Sequence, residues 1–311
     1  MIERVRPRRR ITGMAAVLLP FTGDGSIDWP AFAAHVQRTA EAGLTPALNM
    51  DTGFVALLDP DTRVQVLGVG EECAHDFVAG AFVDDEPGAV YDDDAHLRAA
   101  EQVVAHGGTP VVFPSHGLAG VAEAEWLAAH ERIGARCGRF LAFELSEVFL
   151  AQGRMLSLDA YRSLLGISAC LGAKHSSLRR GPEWERLAAR DALRPDFLVL
   201  TGNDLAIDMV MWGSDYLLGL ATFAPDWFAK RDRWWHEGDA RFFELNDALQ
   251  ALGSFAFRDP VPAYRHDAAM FQHLRGWVTD DRTHPASPRR PDADRDVLAA
   301  LLEQCGAAAS S

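Results

Sequence analysis

The feature that most constrains the fold of this chain is an alternation of short apolar runs with longer segments in which apolar residues recur at helical spacing. The alternation repeats eight times, and the short runs are apolar throughout rather than at every second residue. The runs are residues 14–19, 45–50, 77–82, 110–113, 140–143, 169–173, 197–200 and 216–220. Strands of this kind are typical of a parallel sheet that is covered by helices.

Two architectures fit this pattern, an open doubly wound sheet and a closed barrel. An open sheet often carries a glycine-rich phosphate turn after its first strand, and none follows residues 14–19. Eight units within a single domain of roughly 250 residues favour the barrel. We therefore predict a (β/α)8 barrel over residues 11–237, preceded by a basic tail over 1–10 and followed by a C-terminal helical extension over 238–311.

Two details of this pattern are specific enough to test. In the seventh unit we expect a helix that ends near Gly213, with Asn203 or Asp204 as its N-cap. In the C-terminal extension we expect helical segments around residues 245–252, 268–274 and 297–302, with a loop over 279–292, which is rich in proline, arginine and aspartate.

The composition excludes several classes of function. The net charge of −14 argues against a nucleic-acid partner, because phosphate binding requires clustered lysine and arginine. The four cysteines form no C-x-x-C pair, so neither a zinc site nor a disulfide framework is expected. No apolar run reaches the roughly 18 residues that cross a bilayer. The basic start and the apolar run after it resemble an export signal, but the run continues directly into a turn and a helix. We therefore interpret this segment as a basic tail followed by the first strand of a cytoplasmic protein.

Catalytic groups of such barrels lie at the C-terminal ends of the strands and in the loops that follow. Reactive side chains occupy this position after five of the predicted strands. They are Asp51 and Thr52 after the second, His116 after the fourth, Glu144 at the end of the fifth, Lys174 after the sixth, and Thr201, Asn203 and Asp204 after the seventh. We expect them to converge on one mouth of the barrel.

Lys174 is the most specific of these candidates. The chain has 30 lysine and arginine residues, and only Lys174 and Lys230 are lysines. Arginine cannot attack a carbonyl group because its guanidinium stays protonated, whereas an apolar setting lowers the pKa of a lysine and frees its amine. The alternative is a structural lysine that extends to solvent from a strand end or pairs with Glu144.

Several of these segments resemble the family of dihydrodipicolinate synthase and N-acetylneuraminate lyase. Residues 13–22 and 24–28 are similar to the family's first strand and turn, and residues 171–177 to the strand of its Schiff-base lysine. Residues 200–204 resemble its strand-seven motif, and Gly213 with residues 218–219 the segment that follows. The motifs are short, but they occur in order over roughly residues 11 to 280.

The resemblance implies a class I aldolase mechanism, in which Lys174 condenses with the keto group of an oxo acid and the iminium serves as an electron sink. It also implies a homo-oligomer, a dimer or tetramer, and no cofactor or metal ion. The positions that match substrate-binding segments of the family are Asp51, Thr52, Gly53, Gly202, Asn203 and Leu218.

The departures from the family's pattern concern proton transfer and carboxylate binding. Asp51 replaces the first of two adjacent hydroxyl residues that bind the substrate carboxylate. Phe143 stands where the simplest register puts the strand-five tyrosine, and His116 where the tyrosine after strand four is expected. Glu144 and His116 are therefore our candidates for a rebuilt acid–base pair, because both residue types transfer protons when their pKa is tuned.

A carboxylate at position 51 faces a site meant for an anion. It requires protonation of Asp51, a nearby arginine, or a substrate that presents a hydroxyl or amine there, and we favour the last. The sequence thus predicts a Schiff-base lyase or aldolase acting on a small oxo acid or sugar-derived compound. The alternatives are a dehydratase that uses the same lysine and an inactive, ligand-binding barrel.

Overall fold

The computed structural model describes residues 4–147, 149–150 and 152–310. Eight parallel strands pair each with the next, and the first pairs with the eighth, so the sheet closes into a barrel. The strands are β1 (Gly13–Ala16), β2 (Thr45–Leu48), β3 (Val78–Ala81), β4 (Thr109–Val112), β5 (Phe140–Leu145), β6 (Cys170–Ser176), β7 (Leu198–Thr201) and β8 (Asp215–Leu218). The predicted (β/α)8 barrel is confirmed.

The helices follow the predicted order around this barrel. They are α1 (Trp29–Glu41), α2 (Pro60–Cys73), α3 (Asp93–Ala105), α4 (His116–Gly120), α5 (Glu123–Cys137), α6 (Leu158–Leu165), α7 (Arg180–Leu193) and α8 (Pro225–Glu237). The C-terminal extension adds α9 (Arg241–Ala256), α10 (Tyr264–Leu274) and α11 (Asp294–Ser310). The predicted loop over residues 279–292 contains no helix or strand.

The seventh unit differs from the prediction in its type of helix and its N-cap, whereas the predicted end near Gly213 is confirmed. In place of an α-helix, a 3-10 helix (Ile207–Trp212) joins β7 to β8, and Gly213 follows it with a φ of 113°. Its N-cap is Ala206, so neither Asn203 nor Asp204 caps it. The Asp204 carboxylate instead accepts a hydrogen bond from the backbone N–H of Leu220, at 2.7 Å. A tertiary contact across the barrel mouth has replaced the local cap.

Side chains alternate between the inside of the barrel and its helical layer, as the period of a strand requires. In β5, Leu141 and Phe143 belong to the cluster that fills the barrel, whereas Ala142 packs with the surrounding helices. In β6, Ala173 packs with those helices too. The strand therefore directs Lys174 into the barrel, on the side opposite to Ala173.

The C-terminal helices form one core with the barrel. Leu245, Leu249 and Met270 are buried in the same cluster as Leu18 and Leu48 of the first two units. This packing brings the start of α10 to the mouth at which the strands end. No helix within the described ranges is long and apolar enough to span a membrane, and all four cysteines are free.

Candidate active site

The C-terminal ends of the strands surround a small cavity, with an open volume of about 30 Å³. Loops from five units and the C-terminal extension contribute to its walls. The lining residues are Asp51, Thr52, Phe143, Leu145, Phe149, Lys174, Ser176, Gly202, Asp204, Gly219, Phe257 and Tyr264. Of the reactive side chains expected at one mouth, Asp51, Thr52, Lys174 and Asp204 line this cavity, and so does Gly202, a predicted substrate-binding residue.

Lys174 is buried in this cavity, with 9% of its surface exposed. Its ammonium has neither a hydrogen bond nor an ion pair with any residue that the structure describes, and its Nζ lies 4.4 Å from the ring centre of Phe143. Burial lowers the pKa of Lys174 from 10.5 to about 8, against the opposing charges of Asp204 and Asp51. A lysine held this way has a larger share of free amine near neutral pH than an exposed one.

Two small residues, Gly202 and Ser176, lie beside the Lys174 side chain. Gly202 follows β7, and a Cβ there would lie 2.9 Å from Cε of Lys174 and would also overlap the Ser176 hydroxyl. Ser176 points to the same side of β6 as Lys174 because it lies two residues further along the strand. Its Oγ is buried and lacks a hydrogen-bond partner in the described part of the chain. The cavity thus contains a hydroxyl group that is available to a ligand.

Asp204 is the second ionisable group of this cavity. Its side chain is buried, and burial raises its pKa from 3.8 to about 7, although the backbone N–H of Leu220 and the charge of Lys174 act in the opposite direction. A carboxyl group with this pKa is present in both protonation states near neutral pH. It can therefore donate or accept a proton.

The second strand and the C-terminal extension meet at Asp51 and Thr52. The Tyr264 hydroxyl lies 2.8 Å from Oγ1 of Thr52 and donates a hydrogen bond to Asp51 at 3.3 Å. The Arg265 guanidinium lies 3.4 Å from the Asp51 carboxylate and also binds the backbone carbonyl of that residue at 3.1 Å. Of the three ways to accommodate a carboxylate at position 51, this geometry supports compensation by an arginine rather than the substrate hydroxyl or amine that we favoured from the sequence.

Glu144 does not line the cavity. It follows Phe143 in β5 and points to the helical layer, where its carboxylate binds Arg186 at 2.8 Å and His175 at 3.0 Å. His175 in turn lies 2.9 Å from the Ser177 hydroxyl. Glu144 and His175 are buried, and charge pairing with His175 and Arg186 outweighs burial, so the pKa of Glu144 lies below its usual value. The alternative ion pair of Glu144 with Lys174 is not formed.

His116 and three of the predicted substrate-binding residues also lie outside the cavity lining. His116 begins α4, and its backbone N–H donates to Asp85 at 2.7 Å. Asn203 is buried, and its side-chain oxygen accepts a hydrogen bond from the N–H of Leu205. Gly53 and Leu218 are buried next to lining residues, namely Thr52 and Gly219. The roles predicted for these residues stay predictions.

Sequence reasoning did not select Ser176 or Tyr264 for the site. Asp204, which lines the cavity, was expected at the mouth among the reactive residues after the seventh strand, but it was given no role beyond that of a helix cap. Ser176 had a usable signal, because its spacing of two from Lys174 puts both side chains on one face of β6. Tyr264 had none, since its place depends on how α10 packs against the barrel. Among residues 4–147, 149–150 and 152–310, no group of three or more His, Cys, Asp or Glu side chains is arranged to hold a metal ion.

Comparison with known proteins supports the fold. A scan against protein-family models and a search of curated protein sequences gave no match. Solved structures of the same fold include YagE, a prophage protein of the dihydrodipicolinic acid synthase family from E. coli K12 in complex with pyruvate. It has a TM-score of 0.81 and 18% identity, over 95% of this chain and 98% of that one.

Two other solved structures are similar. The dihydrodipicolinate synthase of Thermotoga maritima has a TM-score of 0.78 and 15% identity, over 96% of this chain and 99% of its own. The chloride-inhibited enzyme of Acinetobacter baumannii, complexed with pyruvate, has a TM-score of 0.76 and 17% identity, over 96% and 99% of the two chains. The resemblance to this family is thus confirmed for the fold.

Proposed function

We propose that the chain is a divergent Schiff-base lyase of the dihydrodipicolinate synthase family, in which Lys174 condenses with the keto group of a small oxo acid. The observation that carries this proposal is the environment of Lys174. A buried amine with a pKa of about 8 lies in a cavity at the catalytic end of the barrel, free of any ion pair in the described residues. The pyruvate bound by the E. coli and A. baumannii proteins supports an oxo acid as the substrate class.

The first step requires one nucleophile and one proton donor. The free amine of Lys174 attacks the keto carbon, and a proton passes from its nitrogen to the carbonyl oxygen to give a neutral carbinolamine. Loss of its hydroxyl as water, after a second protonation, leaves the iminium. We assign this second proton to Asp204, because a buried carboxyl with a pKa of about 7 is partly protonated at neutral pH and lies in the same cavity.

The substrate carboxylate needs a hydrogen-bond donor next to the iminium. Ser176 offers a buried hydroxyl that is otherwise unpartnered within the described chain. Asp51 alone would repel the carboxylate, but the Arg265 guanidinium at 3.4 Å offsets its charge. The proposed substrate is therefore a small monocarboxylate, and the iminium acts as an electron sink for cleavage or formation of a carbon–carbon bond.

The test is borohydride reduction in the presence of pyruvate, 2-oxobutyrate or hydroxypyruvate, followed by intact mass measurement. We expect one adduct per chain, mapped to the peptide that contains Lys174, and no adduct in Lys174→Arg. Lys230→Arg is the matched control and should keep the adduct, because Lys230 is the chain's other lysine and lies in α8. An adduct on Lys230, or one that survives in Lys174→Arg, would overturn the proposal.

The same experiment separates the alternatives. A ligand-binding barrel without catalysis gives no adduct with any carbonyl compound. A dehydratase that uses Lys174 gives an adduct but releases water without cleaving a carbon–carbon bond, which product analysis by NMR detects. The expected dimer or tetramer stays a proposal, and light scattering that shows a monomer at micromolar concentration would contradict it.

A further inference from the structure

We propose that Tyr264, from the C-terminal extension, forms a proton relay with Thr52 and Asp51 that serves the carbon next to the iminium. The inference rests on the proposed function of Lys174. It assigns a proton-transfer group to a site where β5 has Phe143 at the position expected for the family's tyrosine. Tyr264 begins α10, about 90 residues after Lys174 along the chain, yet both side chains line the same cavity.

The hydrogen bonds run in one direction. Tyr264 donates to Oδ2 of Asp51 at 3.3 Å, so its oxygen is free to accept the hydrogen of the Thr52 hydroxyl at 2.8 Å. The oxygen of Thr52, a residue that lines the cavity, then has a lone pair that is free to accept a proton. Thr52 and Tyr264 are buried, whereas the Asp51 side chain is 29% exposed. The chain of bonds therefore leads from the closed interior to a carboxylate that reaches solvent.

Tyr264 differs from the other tyrosines in its position. The chain has four tyrosines, and only Tyr264 lines this cavity. The hydroxyl of Tyr91 donates to Asp93, and that of Tyr216 donates to Asp232. Tyr161 is buried in the helical layer, and its hydroxyl has no partner in the described residues.

The local fold holds the Tyr264 ring in place. The ring stacks on Phe257, with centres 4.3 Å apart and an angle of 17° between the planes. Gly219 leaves space for both groups of the relay, since a Cβ there would lie 3.2 Å from the Tyr264 ring and 3.3 Å from Oγ1 of Thr52. Arg265, the next residue of α10, is a positioning residue that holds the Asp51 carboxylate.

The relay balances protons without forming a phenolate. The carbon next to the iminium gives its proton to Oγ of Thr52 while the Thr52 proton moves to Tyr264 and the Tyr264 proton moves to Asp51. The C–H electrons form the carbon–carbon double bond of the enamine, and the C=N electrons return to nitrogen. Burial and the charge of Asp51 raise the pKa of Tyr264, so the phenol is neutral between transfers. Protonation of the enamine carbon after bond cleavage is the reverse of these transfers.

The test compares iminium formation with carbon deprotonation in Tyr264→Phe. Adduct formation is measured by borohydride trapping with pyruvate, and deprotonation by proton NMR as exchange of the pyruvate methyl hydrogens in D2O, corrected with Lys174→Arg. We expect Tyr264→Phe to keep the adduct and to lose exchange by roughly a hundredfold, the usual loss for general acid–base catalysis. Tyr161→Phe is the matched control and should retain both signals.

Variants of Thr52 provide an independent measurement if Tyr264→Phe does not fold. Thr52→Val, which has the same shape without the hydroxyl, should lose exchange, and Thr52→Ser should restore most of it. Exchange within twofold of wild type in Tyr264→Phe or Thr52→Val would overturn the relay while the adduct upholds the function of Lys174. A wild-type protein without any adduct would overturn both.

Discussion

Replacing Asp204 with asparagine should make Lys174 a better nucleophile near neutral pH. Burial lowers the pKa of Lys174 from 10.5 to about 8, and Asp204 is the stronger of two carboxylates that oppose this shift. A pKa of 8 instead of 10.5 raises the free-amine fraction at neutral pH roughly 300-fold, to about one molecule in ten. Asparagine keeps the shape of Asp204 and removes its charge.

The size of the effect follows from the charge that is lost. Two unit charges about 6 Å apart at an effective dielectric constant of about 20 interact by roughly 3 kcal/mol, which is an upper limit of about two pKa units. At pH 7, where the free-amine fractions are compared, Asp204 with its pKa of about 7 is about half ionised, so about half of this charge acts on Lys174. We therefore expect the pKa of Lys174 to fall by about one unit in Asp204→Asn, which raises its free-amine fraction at pH 7 about fivefold.

Competitive acetylation with trace acetic anhydride between pH 5 and 11 measures this pKa without a substrate. Peptide mass spectrometry gives the reactivity of Lys174 at each pH, with Lys230 as an internal reference. The wild-type midpoint should lie near pH 8, and that of Asp204→Asn near pH 7. A wild-type midpoint at pH 10 or above, or the same midpoint in both proteins, would refute the electrostatic reasoning.

Three further predictions concern stability and charge. Lys174→Met should raise the free energy of unfolding by about 3 kcal/mol at pH 7, because the lowered pKa of Lys174 penalises the folded state. This penalty fades as the pH rises from about 8 to 10.5. A gain in stability, measured by urea denaturation, that does not shrink over this pH range would contradict the prediction. Glu144→Gln should lower the free energy of unfolding by about 3 kcal/mol in the same assay, because it breaks a buried ion pair with Arg186. The borohydride adduct should stay intact. A stable variant without the adduct would instead support the catalytic role predicted from the sequence. Arg265→Met should weaken pyruvate binding, measured by calorimetry, up to about a thousandfold, because the Asp51 carboxylate loses the charge that offsets it. Asp51→Thr added to this variant should restore binding. Equal binding by the single and double variants would show that the two charges are not coupled at the site.

The fold was predictable because each barrel unit has its own local pattern. The run at residues 140–143 and the helical segment at 245–252 were found from apolar spacing alone, and both lie within the elements observed. In the seventh unit the helix end near Gly213 was predicted correctly, but the helix type and the cap were not, because the segment is a 3-10 helix and because Asp204, an ordinary capping residue, binds the backbone of Leu220 after the neighbouring strand. Local propensity cannot anticipate a partner 16 residues away.

The site was predictable only in the part that the strands determine. Lys174, Thr52 and Gly202 follow from the rule that barrel strands present function at their C-terminal ends. Glu144 satisfied the same rule in sequence, but its neighbour Phe143 takes the inward position, and one residue along a strand reverses the direction of the side chain. Tyr264 was out of reach, because nothing in a helix sequence specifies which part of a barrel it will contact.

The departures at the barrel mouth are linked through the C-terminal extension. Asp51 brings a negative charge to the proposed carboxylate site, and this alone would oppose an oxo acid. The first two residues of α10 offset that cost: Arg265 pairs with the carboxylate, and Tyr264 donates a hydrogen bond to it. β5 has Phe143 rather than a tyrosine, so the proposed relay takes its phenol from Tyr264, which is hydrogen-bonded to Thr52. The Asp51 carboxylate by itself is unfavourable for substrate binding. In the proposed relay, with Tyr264 and Arg265 as its neighbours, it is the proton acceptor at the solvent end of the hydrogen bonds. Asp51, Tyr264 and Arg265 are therefore best treated as one unit, and replacing one of them should change the effect of replacing either of the others.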